Sequence, residues 1–149
     1  MSGVIIGVES TAHTFSFGLV TDEGRPHKSY SALYRPEKGG IHPREAADHH
    51  SNLAPELISR LMKEEGLKPD DVTAIAYSQG PGLGPCLRVG ANVSRALSQQ
   101  WNVPLVGVNH CVAHIEIGRN QTGCLDPVLL YVSGGNTQVI ARAGGRYQV

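Results

Sequence analysis

The sequence predicts an α/β fold built on a mixed β-sheet with helices packed against it. Three observations carry this. Three strand-like runs come first, at Val4–Glu9, Thr14–Val20 and His27–Tyr34. Helical periodicity then alternates with further apolar runs. Finally, the opening plan recurs: "VLLYVSGGNTQVIARAGGR" from Val128 repeats the layout of "VIIGVESTAHTFSFGLVTDEGR" from Val4.

Each element has a local reason. Val4–Glu9 is a short apolar run and reads as a buried strand. Thr14–Val20 alternates Phe15, Phe17 and Leu19 with smaller residues, the period of a half-buried strand. "TDEG" turns the chain into a third strand, antiparallel to the second, and "RPEKGGIHP" is a loop. From Pro43 to Gly66 the apolar positions recur at helical spacing. Pro43 suits a first helical turn, whereas Pro55 is expected to kink or split the helix. Val72–Ser78 reads as a strand, Leu87–Trp101 as a helix and Pro104–Val108 as a strand. The helix opened by His110 follows.

This β-β-β-α-β-α-β-α order, with the opening repeated, is the plan of the actin/Hsp70/sugar-kinase superfamily (ASKHA, ribonuclease H-like). There, two such lobes clamp a nucleotide between their strand turns. The expected organisation is one lobe over residues 1–127 and the first strands of a second, similar lobe over 128–149. The plainer alternative is a hairpin added to a single sheet.

Composition narrows the function. Thirteen basic side chains balance thirteen acidic ones, so RNA binding needs a local patch. The richest patch, Arg25 to Arg44, reads first as ordinary solvated surface. Three cysteines without a CxxC pair argue against a disulfide framework and for a reducing cytoplasm. No apolar run approaches membrane-spanning length, and "VIIGV" meets Glu9 too soon for a signal peptide.

Chemistry concentrates in a few motifs. His110 and His114 lie four residues apart, on one helical face, where both imidazoles can reach one ion. The positions where a zinc protease carries its glutamate hold Cys111 and Ala113, so the general base is missing. Two histidines leave a metal short of ligands. Tyr131 is a third candidate: its phenolate suits iron, with magnesium and zinc still open. "SGGNTQ" (Ser133 to Gln138) has glycines that let backbone amides approach an anion. "ESTAHT" (Glu9 to Thr14) occupies the matching point of the first copy. Each turn is either a phosphate cradle or a plain hairpin. "QGPGLGPCLRVG" lacks the GxxxxGK[ST] pattern of a phosphate loop.

Taken together, "ESTAHT", "GGIHPREAADHH", "SQGPGLGPCLRVG", "VGVNHCVAHIEIGR" and "YVSGGNTQV" closely resemble the archaeal and eukaryotic tRNA threonylcarbamoyladenosine transferase family. Its members are the catalytic subunits of the KEOPS complex, formerly called O-sialoglycoprotein endopeptidases. The resemblance implies one divalent or trivalent metal ion per subunit, bound by His110, His114 and Tyr131 and completed by an Asp of the second lobe. It implies that Tyr131, Val132, Ser133, Gly134, Gly135 and Asn136 hold threonylcarbamoyl-AMP or an ATP/AMP-type nucleotide. The threonylcarbamoyl group then passes to adenosine 37 of ANN-decoding tRNAs. Glu9, Ser10, His42 and Arg44 are secondary site candidates. His49 stands beside them as a substrate or RNA contact, and His50 reads as packing. Implied partners are tRNA and the KEOPS subunits: a small kinase-like ATPase, a dimerising subunit and an accessory subunit.

The family's second lobe carries the fourth ligand and the nucleoside-holding residues. A chain of this length is therefore expected to be an inactive fragment. Three other classes stay in view: a non-catalytic interaction lobe, a sugar-kinase-like phosphotransferase and, last, a metalloprotease.

Overall fold

The computed structural model describes residues 3–21, 23–133 and 137–148, and of His27 the backbone only. The chain divides into two compact units, residues 1–108 and 109–149.

In the first unit, strands β1 (Val4–Glu9), β2 (Thr14–Thr21) and β3 (Pro26–Leu33) form the antiparallel meander expected from their alternation. Helix α1 (Pro43–Glu64) follows, then a single 3₁₀ turn, strand β4 (Val72–Gly80), helix α2 (Gly84–Trp101) and strand β5 (Leu105–Asn109). The five-stranded sheet runs β3-β2-β1-β4-β5, with β1 antiparallel to β2 and parallel to β4. It is therefore mixed, as predicted. Strand alternation sends Val4, Ile6 and Val8 of β1, with Phe15, Phe17 and Leu19 of β2, into one core with Ala54, Leu57 and Leu61 of α1.

Pro55 does not split α1, which is continuous from Pro43 to Glu64. The proline removes the bond its N–H would make to the Ser51 carbonyl. Ser51 and Pro55 are both exposed, so water can serve that carbonyl. Ala54, Leu57 and Leu61 meanwhile hold the helix to the sheet on the opposite side. Burial outweighs the local defect. Helix α2 also begins earlier than its apolar periodicity indicates, at Gly84, with Pro85 in its first turn.

The second unit contains helix α3 (His110–Thr122) and strands β6 (Val128–Val132), β7 (Thr137–Ala143) and β8 (Arg146–Gln148). The strands form an antiparallel sheet of their own, in the order β6-β7-β8. One face of the small sheet presents Leu129, Tyr131 and Ile140 to Cys111 and Ile115 of α3. No helix among the described residues is long and apolar enough to cross a membrane.

Candidate functional site

In the second unit the site starts with the cap of α3. The side chain of Asn109 accepts hydrogen bonds from the backbone amides of Cys111 (2.9 Å) and Val112 (3.2 Å), which fixes where the helix begins. His110 is the first residue after that cap. Cys111 and Ile115 point into the small core. His110 and His114, one position earlier in each turn, lie about 100° round the helix from them. The histidines thus flank the buried stripe instead of joining it.

Their Nε2 atoms stand 3.2 Å apart. Two imidazole nitrogens on one ion, each about 2.0–2.1 Å from it, stand about 2.8–3.4 Å apart at bond angles of about 90–109°. The pair fits that bite. Tyr131 is brought to the same place by β6, where it alternates inward with Leu129. Its ring centroid lies 5.4 Å from that of His114 and 6.0 Å from that of His110. The donor set, two imidazole nitrogens and a phenol oxygen, suits a single borderline or hard cation.

Glu116, the only carboxylate on α3, is engaged elsewhere. It accepts two bonds from Arg119 Nη1, at 2.6 and 2.7 Å, and a third from the Tyr147 hydroxyl. Arg119 first, and Tyr147 second, hold its carboxyl below the usual carboxylate range. A carboxylate so stabilised is a poor general base. Among the substrate-binding candidates, Val132 and Ser133 are exposed at the end of β6. Gly134, Gly135 and Asn136 lie outside the described residues.

The first unit carries a second polar cluster where "ESTAHT" leaves β1. One oxygen of Glu9 accepts from the Thr11 amide (2.6 Å) and the Thr11 hydroxyl; the other accepts from the Ser78 hydroxyl on β4. Ser10 is buried against α2, where a Cβ on Gly90 would sit 2.1 Å from its hydroxyl. Gly82, in the loop before α2, is also packed against Thr11, where a Cβ would sit 2.6 Å from the Thr11 carbonyl. Glycine at both positions lets the turn and α2 approach each other. His42 sits at the N-cap of α1 with Nδ1 4.0 Å from Glu45, and Arg44 is exposed one residue into the helix. His50, expected to pack, is fully buried, and it also hydrogen-bonds the turn: its Nε2 lies 2.9 Å from the Ala12 carbonyl. In the basic stretch Lys28 pairs with Glu65 at 3.1 Å, and Arg25 with Glu23 at 3.6 Å.

The structure thus gathers His110, His114 and Tyr131 in one unit, and Glu9, Ser10 and Thr11 in the other. Sequence reasoning missed Ser78 and Asn109. Ser78 has no local signal, being sixty-nine residues from its partner Glu9. Asn109 did have one, a capping residue directly before a helical run.

Comparisons with known proteins bear on the fold and on the family. Solved structures share the fold at low identity. YeaZ from Pseudomonas aeruginosa has a TM-score of 0.68 at 16% identity, over 98% of this chain and 63% of that one. The ethanolamine utilization protein EutJ from Carboxydothermus hydrogenoformans has a TM-score of 0.65 at 16% identity, over 100% and 51%. At this identity they show a shared α/β fold and nothing more.

Sequence relatives are nearer. The tRNA N6-adenosine threonylcarbamoyltransferase of Methanopyrus kandleri is 54% identical over 152 residues, covering 98% of this chain and 44% of the relative. That of Thermococcus gammatolerans is 52% identical over 146 residues, with the same coverages. A probable bifunctional tRNA threonylcarbamoyladenosine biosynthesis protein of Methanosarcina barkeri is 54% identical over 148 residues, 97% of this chain and 27% of the relative. The chain spans less than half the length of these curated relatives. The TsaD family pattern matches residues 27–149, and on that match the chain belongs to the tRNA N6-adenosine threonylcarbamoyltransferase family.

Proposed function

We propose that this chain supplies part of the machinery that transfers the threonylcarbamoyl group from threonylcarbamoyl-AMP to the exocyclic amine of adenosine 37 in ANN-decoding tRNAs, with release of AMP. The reading rests above all on the histidine pair, whose Nε2 atoms lie 3.2 Å apart beside the Tyr131 ring. An adenosine amine is a weak nucleophile, so acyl transfer to it depends on orientation and on stabilising charge at the phosphate and carbonyl oxygens.

In this reading His110 and His114 each offer one ring nitrogen to a metal, and Tyr131 offers its phenol oxygen after losing its proton. When bound, the metal supplies a Lewis acid toward the substrate; a phenolate ligand favours iron over zinc or magnesium. Ser133 would donate a hydrogen bond to the adenylate; Gly134, Gly135 and Asn136, outside the described residues, are assigned to it by the family resemblance. Glu9 orders the first unit's polar turn through Thr11 and Ser78, and Ser10 packs the turn onto α2. His42 and Arg44, both exposed, are candidate RNA contacts. In this reading a fourth metal ligand and the nucleoside contacts belong to a second lobe, as the family resemblance implies. The proposed partners are tRNA and the KEOPS subunits, and the proposed setting is the cytoplasm.

The test is metal content by mass spectrometry, on full chain and on its His110→Ala/His114→Ala variant. We expect about one ion per chain, lost in the double variant and reduced in Tyr131→Phe. Metal retained at full content without both histidines would overturn the reading. A second reading, a non-catalytic interaction lobe, draws on the apolar face that Val128, Leu130, Val132 and Val139 expose. It predicts a protein that associates without binding metal.

A further inference from the structure

Three consecutive carbonyls of the "ESTAHT" turn accept hydrogen bonds from three different elements. The Thr11 carbonyl accepts from the Leu83 amide at the start of α2 (2.7 Å), and the His13 carbonyl from the Tyr34 amide after β3 (2.7 Å). Between them, the Ala12 carbonyl meets His50 Nε2 at 2.9 Å. Only this middle bond uses a side chain, and that side chain is fully buried on α1.

The carbonyl of one residue and the N–H of the next point to opposite sides of a planar trans peptide. With the Thr11 and Ala12 carbonyls bound inward, the amides of Ala12 and His13 are turned away from α2 and α1. Freed of His50, the Ala12 carbonyl could rotate, and the His13 amide would rotate with it.

The chemistry also selects one tautomer. A carbonyl only accepts, so His50 Nε2 must carry the proton. His50 Nδ1 then accepts, and the His49 Nδ1 that lies 3.3 Å away is its donor. His49 is half-buried beside the Tyr34 ring, at 5.6 Å between centroids. Tyr34 in turn donates its hydroxyl to Glu45. Burial pushes the His50 imidazole below its ordinary pKa, which keeps it in the neutral form that this chain of bonds requires.

We propose that His50 is a positioning residue: as the Nε2–H tautomer it clamps the Ala12 carbonyl and so fixes the direction in which the Ala12 and His13 amides present themselves to an anionic phosphate. The clamp follows from the bonds above; its use toward phosphate rests on the functional reading of the turn.

The experiment compares full chain with His50→Gln, whose side-chain amide can still donate to Ala12, and His50→Leu, which cannot. Nitrogen-15 NMR should find wild-type His50 as the Nε2–H tautomer at neutral pH; the Nδ1–H tautomer, which has no donor on Nε2, overturns the clamp. Hydrogen exchange at the Thr11 and Leu83 amides should accelerate about tenfold or more in His50→Leu and stay within about threefold in His50→Gln. Core amides at Ile6 and Phe17 report whether each variant is folded. Equal exchange in folded His50→Leu and wild type overturns the proposal, as does exchange in folded His50→Gln as fast as in His50→Leu. Should His50→Leu unfold, the tautomer and His50→Gln still decide. AMP is the ligand probe, with about tenfold weaker binding expected in His50→Leu and little change in His50→Gln. If wild type binds no AMP, the phosphate-facing role falls with the functional reading of the turn, while the exchange data judge the clamp.

Discussion

The first hairpins of the two units carry the same pattern to opposite ends. In the first, Val4, Ile6 and Val8 alternate along β1, and Ile6 pairs with Leu19 on β2. In the second, Val128, Leu130 and Val132 alternate along β6, and Leu130 pairs with Val139 on β7. Ile6 is completely buried, whereas Leu130 keeps 64% of its surface and Val139 59%. The difference lies in the cover. Helix α1 brings Ala54, Leu57 and Leu61 onto the first hairpin's face, while among the described residues the second hairpin packs its Leu129 and Tyr131 face against α3 and leaves the Leu130 face open. Alternation tells which residues share a face. Whether that face is buried depends on an element elsewhere in the chain.

The strongest test of this contrast pairs Ile6→Ala with Leu130→Ala. Emptying the Ile6 site removes a buried side chain from a closed core, and should lower unfolding stability by about 2–5 kcal/mol. Truncating Leu130 removes atoms that already face water, and should change stability by less than about 0.5 kcal/mol. Urea unfolding followed separately in each unit by NMR checks both. Comparable losses would mean that the second hairpin's outer face is buried in solution. The same face predicts concentration-dependent association, which Leu130→Lys should weaken in sedimentation.

Much of this architecture could be read from the sequence, because it rests on local periodicity. The strand alternation of Phe15, Phe17 and Leu19 and the helical spacing of Leu57 and Leu61 are short-range signals. So is the HxxxH spacing, which puts His110 and His114 on one face of any helix that contains them. Contacts between distant segments could not be read. Nothing near Glu9 announces Ser78, and nothing near His50 announces the Ala12 carbonyl, since the topology of β1, β4 and α1 creates both meetings. Pro55 misleads for the same reason: the local rule is right about the lost hydrogen bond, but tertiary burial holds α1 together.

A smaller effect is expected at Asn109, where the second unit's site depends on a cap of its own. The first unit's α1 has no side-chain hydrogen bond at its N-cap, His42, and is held by its core. Helix α3 is thirteen residues long and buries only Cys111 and Ile115, so the Asn109 bonds are a larger share of its stability. Asn109→Ala should cost about 0.5–2 kcal/mol and fray the first turn, which carries His110. In the proposed metal site, affinity should fall with it, whereas His42→Ala should leave the stability of α1 nearly unchanged. Amide exchange at Cys111 and Val112 reads the fraying directly.

Acid should separate the two units by different groups and at different pH. Burial keeps the folded His50 pKa below the ordinary 6.5, with the Ala12 bond partly opposing that and His49 adding to it. The unfolded chain therefore takes up a proton near 6.5 that the folded first unit refuses. His50's contribution is complete above that pH and is lost as the pH falls from there toward the lower folded value. Glu116 titrates in a more acidic range: Arg119 and then Tyr147 depress its folded pKa below 4.5. Its contribution is present above that value and disappears only as the pH drops through the folded pKa. Because Glu116 is substantially exposed, the effect is small. The first unit should thus begin to weaken in mildly acidic solution, where Glu116 leaves the second unit unaffected. The early loss should vanish in His50→Gln, which has nothing to titrate at that position. An unchanged acid profile in that variant would show that the first unit's sensitivity comes from other groups.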